Sequence, residues 1–135
     1  MSEPGEMAVS TVVVFEKRQR LTPELQHQFT GESVRIRVCR SLTDVRPTLH
    51  DAPRSILVVD LEAALGECLQ FLGQMVGETP FVPIIAIGSY QTAEWEWAIR
   101  ELGVVEFVPR FESGEDLASL CRKQWMTSQD QNREF

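Results

Sequence analysis

A single carboxylate follows directly on four consecutive apolar residues in the stretch Ser55-Ile56-Leu57-Val58-Val59-Asp60. An unbroken apolar run bounded by polar residues is typical of a strand buried on both faces, as in a parallel sheet between helices. Ligands of such sheets bind outside the carboxyl ends of the strands. Asp60 is therefore the first candidate for chemistry. The alternative is that Asp60 only caps the following helix, because Asp is a favoured N-cap residue.

Thiol, imidazole and triad chemistry is not indicated elsewhere. Cys39, Cys68 and Cys121 are odd in number, far apart and set in apolar patterns, which predicts small buried thiols in a reducing compartment. His27 and His50 have no Cys or carboxylate at metal-ligand spacing, so no zinc site is expected. No nucleophile and base stand at strand ends in a triad-like arrangement, and neither glycine-rich nucleotide motif is present. We expect a protein that is not an enzyme.

Composition describes an ordinary soluble domain. The 135 residues suit one domain, with 43% apolar and 24% charged residues. The net charge of −7 argues against direct nucleic-acid binding, which needs a basic face. Lys17, Arg18 and Arg20 form only a small local basic patch. No apolar run approaches the ~20 residues of a membrane span, and the acidic N-terminus is not a secretory signal, so we expect a cytoplasmic protein without membrane contact.

Strand-like and helix-like patterns alternate along the chain. Such alternation predicts an α/β fold, a doubly wound five-stranded parallel sheet, because crossover connections are right-handed. Thr22 is expected to cap the first helix, with Pro23 at its first position, and Gly31, Gly77 and Gly103 are expected to end helices. The predicted strands cover residues 11–15, 34–38, 55–60, 81–87 and 104–108, and the predicted helices 22–30, 42–50, 65–76, 91–102 and 113–125. Tails are expected at 1–9 and 127–135, around a domain at 10–126.

The second predicted strand has a period of two. Val34, Ile36 and Val38 alternate with Arg35 and Arg37. This pattern predicts a strand at an edge of the sheet, where arginines keep the edge soluble. An anion site formed by these arginines is the alternative.

Two nearby tryptophans fall on different sides of the fourth predicted helix. Trp95 would share the inner face with Ala98, Ile99 and Leu102. Trp97 lies about 200° from Trp95 at 100° per residue and would point away from the core. An exposed aromatic side chain can anchor a protein partner, although isolated surface aromatics are also common.

Four segments together resemble the receiver domain of response regulators (CheY-like). They are Val59-Asp60-Leu61, the strand-like Pro83-Ile84-Ile85-Ala86-Ile87-Gly88-Ser89, the helix end Ala98 to Gly103, and Gly103-Val104-Val105-Glu106-Phe107-Val108-Pro109-Arg110. The resemblance covers about residues 10 to 126. It implies a (βα)5 flavodoxin-like receiver fold in which Asp60 occupies the phosphoacceptor position.

The metal-binding part of the resemblance is incomplete. The family holds Mg²⁺ with an acidic pair at the end of the first strand, and this chain has Phe15-Glu16 there. The implied metal positions are Glu16, Asp60 and the backbone carbonyl of Glu62. Mg²⁺ is expected only if the site works, because a hard cation with one carboxylate fewer binds considerably more weakly.

The positions that read the phosphoryl group also depart from the family pattern. The family's hydroxyl residue falls on Gly88, with Ser89 one residue later; a register shifted by one residue would place Ser89 at that position. The family's lysine aligns with Arg110, whose larger planar cation is not equivalent. Helical sequence begins soon after Asp60, where the family usually has Pro and Gly.

These departures predict an atypical receiver-like domain that regulates by protein–protein interaction, with weak or no phosphorylation of Asp60. The family commonly uses the face of the fourth helix, fifth strand and fifth helix. Here that candidate face comprises Tyr90, Trp97, Glu101, Glu106 and Arg122. The expected partner is a histidine kinase, another regulator or a second copy in a homodimer. The alternative is a working receiver phosphorylated at Asp60 with Mg²⁺.

Overall fold

The computed structural model describes residues 9–52, 54–75 and 82–133, with side chains as far as Thr127. Within these residues, five strands and five helices alternate, as the sequence patterns predict. In chain order they are β1 (Ser10–Phe15), α1 (Thr22–Gln28), β2 (Val34–Cys39), α2 (Val45–His50), β3 (Ser55–Asp60), α3 (Leu65–Met75), β4 (Ile84–Ile87), α4 (Glu96–Glu101), β5 (Glu106–Val108) and α5 (Gly114–Arg133). Short 3₁₀ helices, Leu42–Asp44 and Tyr90–Trp95, precede α2 and α4.

The five strands form one parallel sheet with the order β2-β1-β3-β4-β5. This is the predicted doubly wound, flavodoxin-like arrangement. In the register, Phe15 lies opposite Val59, and Asp60 lies opposite Ile87. The carboxyl ends of β1, β3 and β4 therefore meet at one edge of the sheet.

Each face of the sheet has its own hydrophobic core. Successive residues of a strand point to opposite faces, so Val13 and Phe15 enter one core and Val12 and Val14 the other. The first core includes residues of α2, α3 and α4, and the second includes residues of α1 and α5. Burial on both faces explains why β1 and β3 are continuous apolar runs.

The edge position of β2 is confirmed. Arg35 is exposed, Val34 and Ile36 are partly buried, and Val38 remains 38% exposed. The outer side of β2 pairs with no strand among the described residues.

Two glycines end helices as predicted. Gly31 follows α1 with φ +85°, and Gly103 follows α4 with φ +101°. A positive φ of this size is easy only for glycine. Gly77, the predicted end of the third helix, lies outside the described residues.

The region of the two tryptophans differs from the prediction. Its first part, Tyr90–Trp95, is a 3₁₀ helix, which winds more tightly than an α-helix. Trp95 is consequently 49% exposed, and its predicted place on the inner face is wrong. Ile99 is fully buried as predicted, and Trp97 is 71% exposed, which confirms that it points away from the core.

Two predicted boundaries are also different. Strand β4 begins at Ile84, so it is shorter than the predicted 81–87; Phe81 is not among the described residues. Helix α5 continues to Arg133, so most of the predicted tail at 127–135 is helical. The residues of α5 beyond its apolar face are compatible with helix, so the helix continues past that face. Among the described residues, none of the helices has the length and apolar character of a membrane span.

Candidate functional site

The sheet edge brings Glu16 and Asp60 close together in the fold. Glu16 follows the last residue of β1, and Asp60 is the last residue of the neighbouring strand β3. Both are buried, with 0% and 3% exposure. Buried charged groups need partners, so the partners of these two carboxylates decide what the site can do.

Glu16 uses its carboxylate to hold the start of α1. Its Oε1 accepts hydrogen bonds from the backbone N–H groups of Arg20 (3.1 Å) and Leu21 (2.8 Å), and its Oε2 accepts one from Thr22 (3.0 Å). The first N–H groups of a helix lack partners within the helix. The carboxylate of Glu16 supplies the missing acceptors from outside the helix. The prediction that Thr22 caps α1 is wrong, because Leu21 is the N-cap residue and its side chain makes no capping hydrogen bond.

The surroundings of Glu16 favour its ionised form. Burial by itself raises the pKa of a carboxyl group, but hydrogen bonds from Thr22, Leu21 and Arg20 outweigh burial and lower the pKa of Glu16. Hydrogen bonds to a carboxylate stabilise the charge directly. Glu16 is thus an anion committed to the helix start.

Asp60 forms a bidentate ion pair with Arg20. The Nε of Arg20 donates to Oδ2 of Asp60, and Nη2 donates to Oδ1, each at 3.1 Å. Oδ1 also accepts from the backbone N–H of Glu62 at 3.1 Å. The hydrogen bond with Asp60 is the main cause of a raised pKa of Arg20, so the guanidinium is charged. Since α3 begins only at Leu65, the alternative that Asp60 caps it is wrong.

Arg20 has two further neighbours at the site. Its Nη2 lies 3.5 Å from Oε1 of Glu62, and its guanidinium lies 5.7 Å from the centre of the Phe111 ring. In the sequence, Arg20 belongs only to a small basic patch, which does not indicate this role. The two partners are 40 residues apart in sequence, and no short motif indicates a pair so distant.

The residues at this edge do not fit a magnesium ion. Phe15 stands where the receiver family has one carboxylate of its acidic pair, and its side chain is 1% exposed and packs in the core. Glu16 faces the start of α1, and both oxygens of Asp60 face Arg20. In the part of the chain that the structure describes, no three His, Cys, Asp or Glu residues are arranged to hold a metal. A hard cation needs several free oxygen ligands.

Gly88 has no room for a side chain. A Cβ atom there would lie 2.5 Å from Oγ1 of Thr92 and 2.7 Å from Cζ of Phe107. Its backbone N–H donates to the carbonyl of Val108 at 2.7 Å. A hydroxyl residue at this position would therefore require the neighbours to move.

Ser89 caps the 3₁₀ helix that follows it. Its Oγ accepts from the N–H of Gln91 at 3.3 Å, and its own N–H donates to Oγ1 of Thr92 at 2.7 Å. This reciprocal pattern is a capping box. The hydroxyl of Ser89 thus has a structural role, in addition to its place at the end of β4.

Arg110 is directed to solvent and not to Asp60. Its Nη2 donates to Glu112 at 2.9 Å, and its guanidinium lies 5.7 Å from the ring centre of Tyr90. The hydrogen bond with Glu112 raises the pKa of Arg110. The cation that contacts Asp60 is Arg20.

Most members of the candidate interaction face are accessible. Tyr90 and Trp97 are 82% and 71% exposed, Glu101 is exposed, and Glu106 is partly buried. The Oε2 of Glu106 lies 3.7 Å from Nζ of Lys123 in α5, so Lys123 also belongs to this region, although it was not among the predicted residues.

Arg122 lies on another side of α5. Its Nη2 donates to Glu32 at 2.7 Å and to the carbonyl of Gln28 at 3.3 Å, and its guanidinium covers the ring of Phe29 at 5.0 Å. Arg122 therefore joins α5 to α1 and its following turn. The prediction that Arg122 lies on the candidate face is therefore corrected. The next residue, Lys123, faces Glu106 instead, because consecutive residues of a helix point about 100° apart.

Comparisons with known proteins agree with the observed architecture. No family model and no curated protein sequence matches the chain. Solved structures do: the receiver domain of the TMAO respiratory system response regulator TorR has a TM-score of 0.75 at 17% identity, covering 87% of this chain and 98% of that one. The N-terminal receiver domain of a two-component response regulator from Bacteroides fragilis has a TM-score of 0.74 at 12% identity, covering 87% and 97%.

A third similar structure belongs to a family of redox sensors in the streptococci, described as having evolved from two-component response regulators. Its TM-score is 0.76 at 12% identity, and the match covers 93% of this chain and 55% of that one. At such identities the likeness concerns the fold. The sheet order, the register at Asp60 and these structures together lead to one conclusion: the chain has the fold of the receiver domains of response regulators.

Proposed function

We propose that this protein is an atypical receiver-like domain of signal transduction, which regulates through protein–protein contacts and does not depend on phosphorylation of Asp60. One observation carries the proposal: both carboxylate oxygens of Asp60 are hydrogen-bonded to the guanidinium of Arg20. An acceptor carboxylate needs an oxygen free to attack phosphorus in line with the leaving group. In Asp60 each oxygen accepts a hydrogen bond from a guanidinium nitrogen, which draws electron density from both oxygens and occupies space in front of them.

The groups around Asp60 support the same reading. Phosphoryl transfer relies on positioning and on neutralising charge around the phosphorus. The carboxylate of Glu16 holds a helix start, the hydroxyl of Ser89 caps a helix, and Arg110 pairs with Glu112. Each group that the family would use at this edge has a different partner here.

The surface supports a role in protein contacts. Tyr90 and Trp97 are large aromatic side chains that are mostly exposed. Exposed aromatics of this kind often anchor a protein partner, because they bury a large area at low entropic cost. The partner would be a histidine kinase, another regulator or a second copy of this chain, in the cytoplasm. That one similar structure is called a redox sensor evolved from response regulators supports the use of this fold with another input.

The proposal is tested by the intact mass of the protein after incubation with acetyl phosphate and Mg²⁺. Wild type and Asp60→Asn are compared, with circular dichroism to show that both are folded. We expect no phosphoryl adduct on either protein. A stoichiometric adduct on wild type that is absent from Asp60→Asn would overturn the proposal in favour of a working receiver.

The interaction surface is tested separately by the oligomeric state. Sedimentation equilibrium of wild type and Trp97→Ala over a range of concentrations would show whether this face joins two copies. Concentration-dependent dimers that are lost in Trp97→Ala would identify a second copy as the partner. Monomers in both cases would direct the search to a different protein.

A further inference from the structure

Arg20 joins three separate segments at the carboxyl edge of the sheet. It belongs to the connection between β1 and α1, its two nitrogens bind Asp60 at the end of β3, and its guanidinium lies against Phe111 in the connection between β5 and α5. A guanidinium is planar and can form two parallel hydrogen bonds with a carboxylate while stacking on an aromatic ring. A lysine could not make the same set of contacts.

Charge explains why such a residue is needed. Asp60 is 3% exposed, and an unpaired carboxylate at that depth is costly. Two other carboxylates are nearby: Glu16, which is held by three backbone N–H groups, and Glu62, whose Oε1 lies 3.5 Å from Nη2 of Arg20. Arg20 supplies the positive charge at this place, where the fold family implies a metal ion and the residues do not fit one.

We propose that Arg20 is the resident counter-cation of Asp60, in place of a metal ion, and that it couples the charge of Asp60 to the position of Phe111. The inference deepens the proposed function and rests on it for its meaning in signalling. Any event that removes the negative charge of Asp60 releases the guanidinium, and with it the contact to Phe111. Phe111, in the connection before α5, then loses a neighbour. Neither Ser89 nor Arg110 takes part in this change.

The first test is a double-mutant cycle in denaturant unfolding, with Arg20→Ala, Asp60→Asn and the double variant. We expect the single changes to lower the folding equilibrium constant, and the pair to be non-additive by at least about tenfold. Arg18→Ala is the matched control, since Arg18 is a nearby exposed arginine, and it should be additive with Asp60→Asn. Additive effects for Arg20 and Asp60 would overturn the proposal.

The second test measures the position of Phe111 and can be carried out even if Arg20→Ala does not fold. Backbone amide resonances are compared between wild type, Asp60→Asn and Arg20→Lys. The lysine variant keeps the positive charge and loses the bidentate geometry. We expect the resonances of Phe111 and Leu21 to shift in both variants, while those of the edge strand at Ile36 stay in place. Unchanged resonances of Phe111 would contradict the coupling. None of these results depends on whether wild type forms a phosphoryl adduct, so the proposed function and the role of Arg20 can be refuted independently of each other.

Discussion

Arg20 and Asp60 meet through two hydrogen bonds of 3.1 Å across 40 residues of sequence. The pair forms because Asp60 stands at the end of a central strand and the connection after β1 passes over the same edge. Glu16 fixes that connection by binding the N–H groups of Arg20, Leu21 and Thr22. Glu16, which binds the backbone N–H groups at the start of α1, therefore also positions the cation that neutralises Asp60.

Replacement of Glu16 should destabilise the protein strongly. In Glu16→Gln the buried side chain keeps one acceptor oxygen and places an amide N–H₂ against backbone donors. We expect a loss of about 2–3 kcal/mol in the free energy of unfolding, because charge-assisted bonds are lost and buried N–H groups lose their acceptor. Urea unfolding of both proteins measures this. Glu24→Gln, an exposed acidic residue in the first turn of α1, is the control and should change stability by less than about 0.5 kcal/mol. A similar effect of the two changes would contradict the role of Glu16.

The contribution of Glu16 should depend on pH with a definite sign. The pKa of Glu16 is lowered from 4.5 in the folded protein. A carboxyl group with a depressed pKa stabilises the fold fully above its unfolded pKa, and this stabilisation is lost as the pH falls through the folded value. The difference in unfolding free energy between wild type and Glu16→Gln should therefore be constant from pH 7 to about pH 5 and shrink below pH 4. Unfolding curves at these pH values provide the measurement, and a difference that grows with acid would be inconsistent with the lowered pKa.

A hydroxyl side chain introduced at Gly88 should damage the fold. Gly88→Ser places Cβ within contact of Thr92 and Phe107, and overpacking of this kind costs about 1–3 kcal/mol. Gly66→Ala is the matched control, because a Cβ at this position of α3 meets nothing within 4 Å. That control should be stabilised by up to about 1 kcal/mol through helix propensity. Thermal unfolding of the two variants tests both signs, and a Gly88→Ser protein as stable as wild type would show that the neighbours yield easily.

The two tryptophans on α4 and α5 should behave in opposite ways. Trp97→Ala should leave the free energy of unfolding within about 0.5 kcal/mol of wild type, because the side chain is mostly exposed. Trp125→Ala should cost about 3–5 kcal/mol. Trp125 is 9% exposed, lies 5.8 Å from the ring of Phe29 and donates from Nε1 to the carbonyl of Arg54 at 3.1 Å. Denaturant unfolding separates the two, and a large loss for Trp97→Ala would mean that it packs in the core.

The sequence by itself determined the architecture and the place of Asp60. Its apolar runs, helix-ending glycines and strand-end carboxylate depend on local preferences and on the two-sided burial of parallel strands, which a linear pattern records. Only the tertiary structure decided the chemistry of the edge. Which cation reaches Asp60, which backbone groups occupy Glu16 and how much space surrounds Gly88 depend on contacts between segments far apart in the chain. The exposure of Trp95 was missed for a local reason, since a short 3₁₀ helix changes the angle between successive side chains.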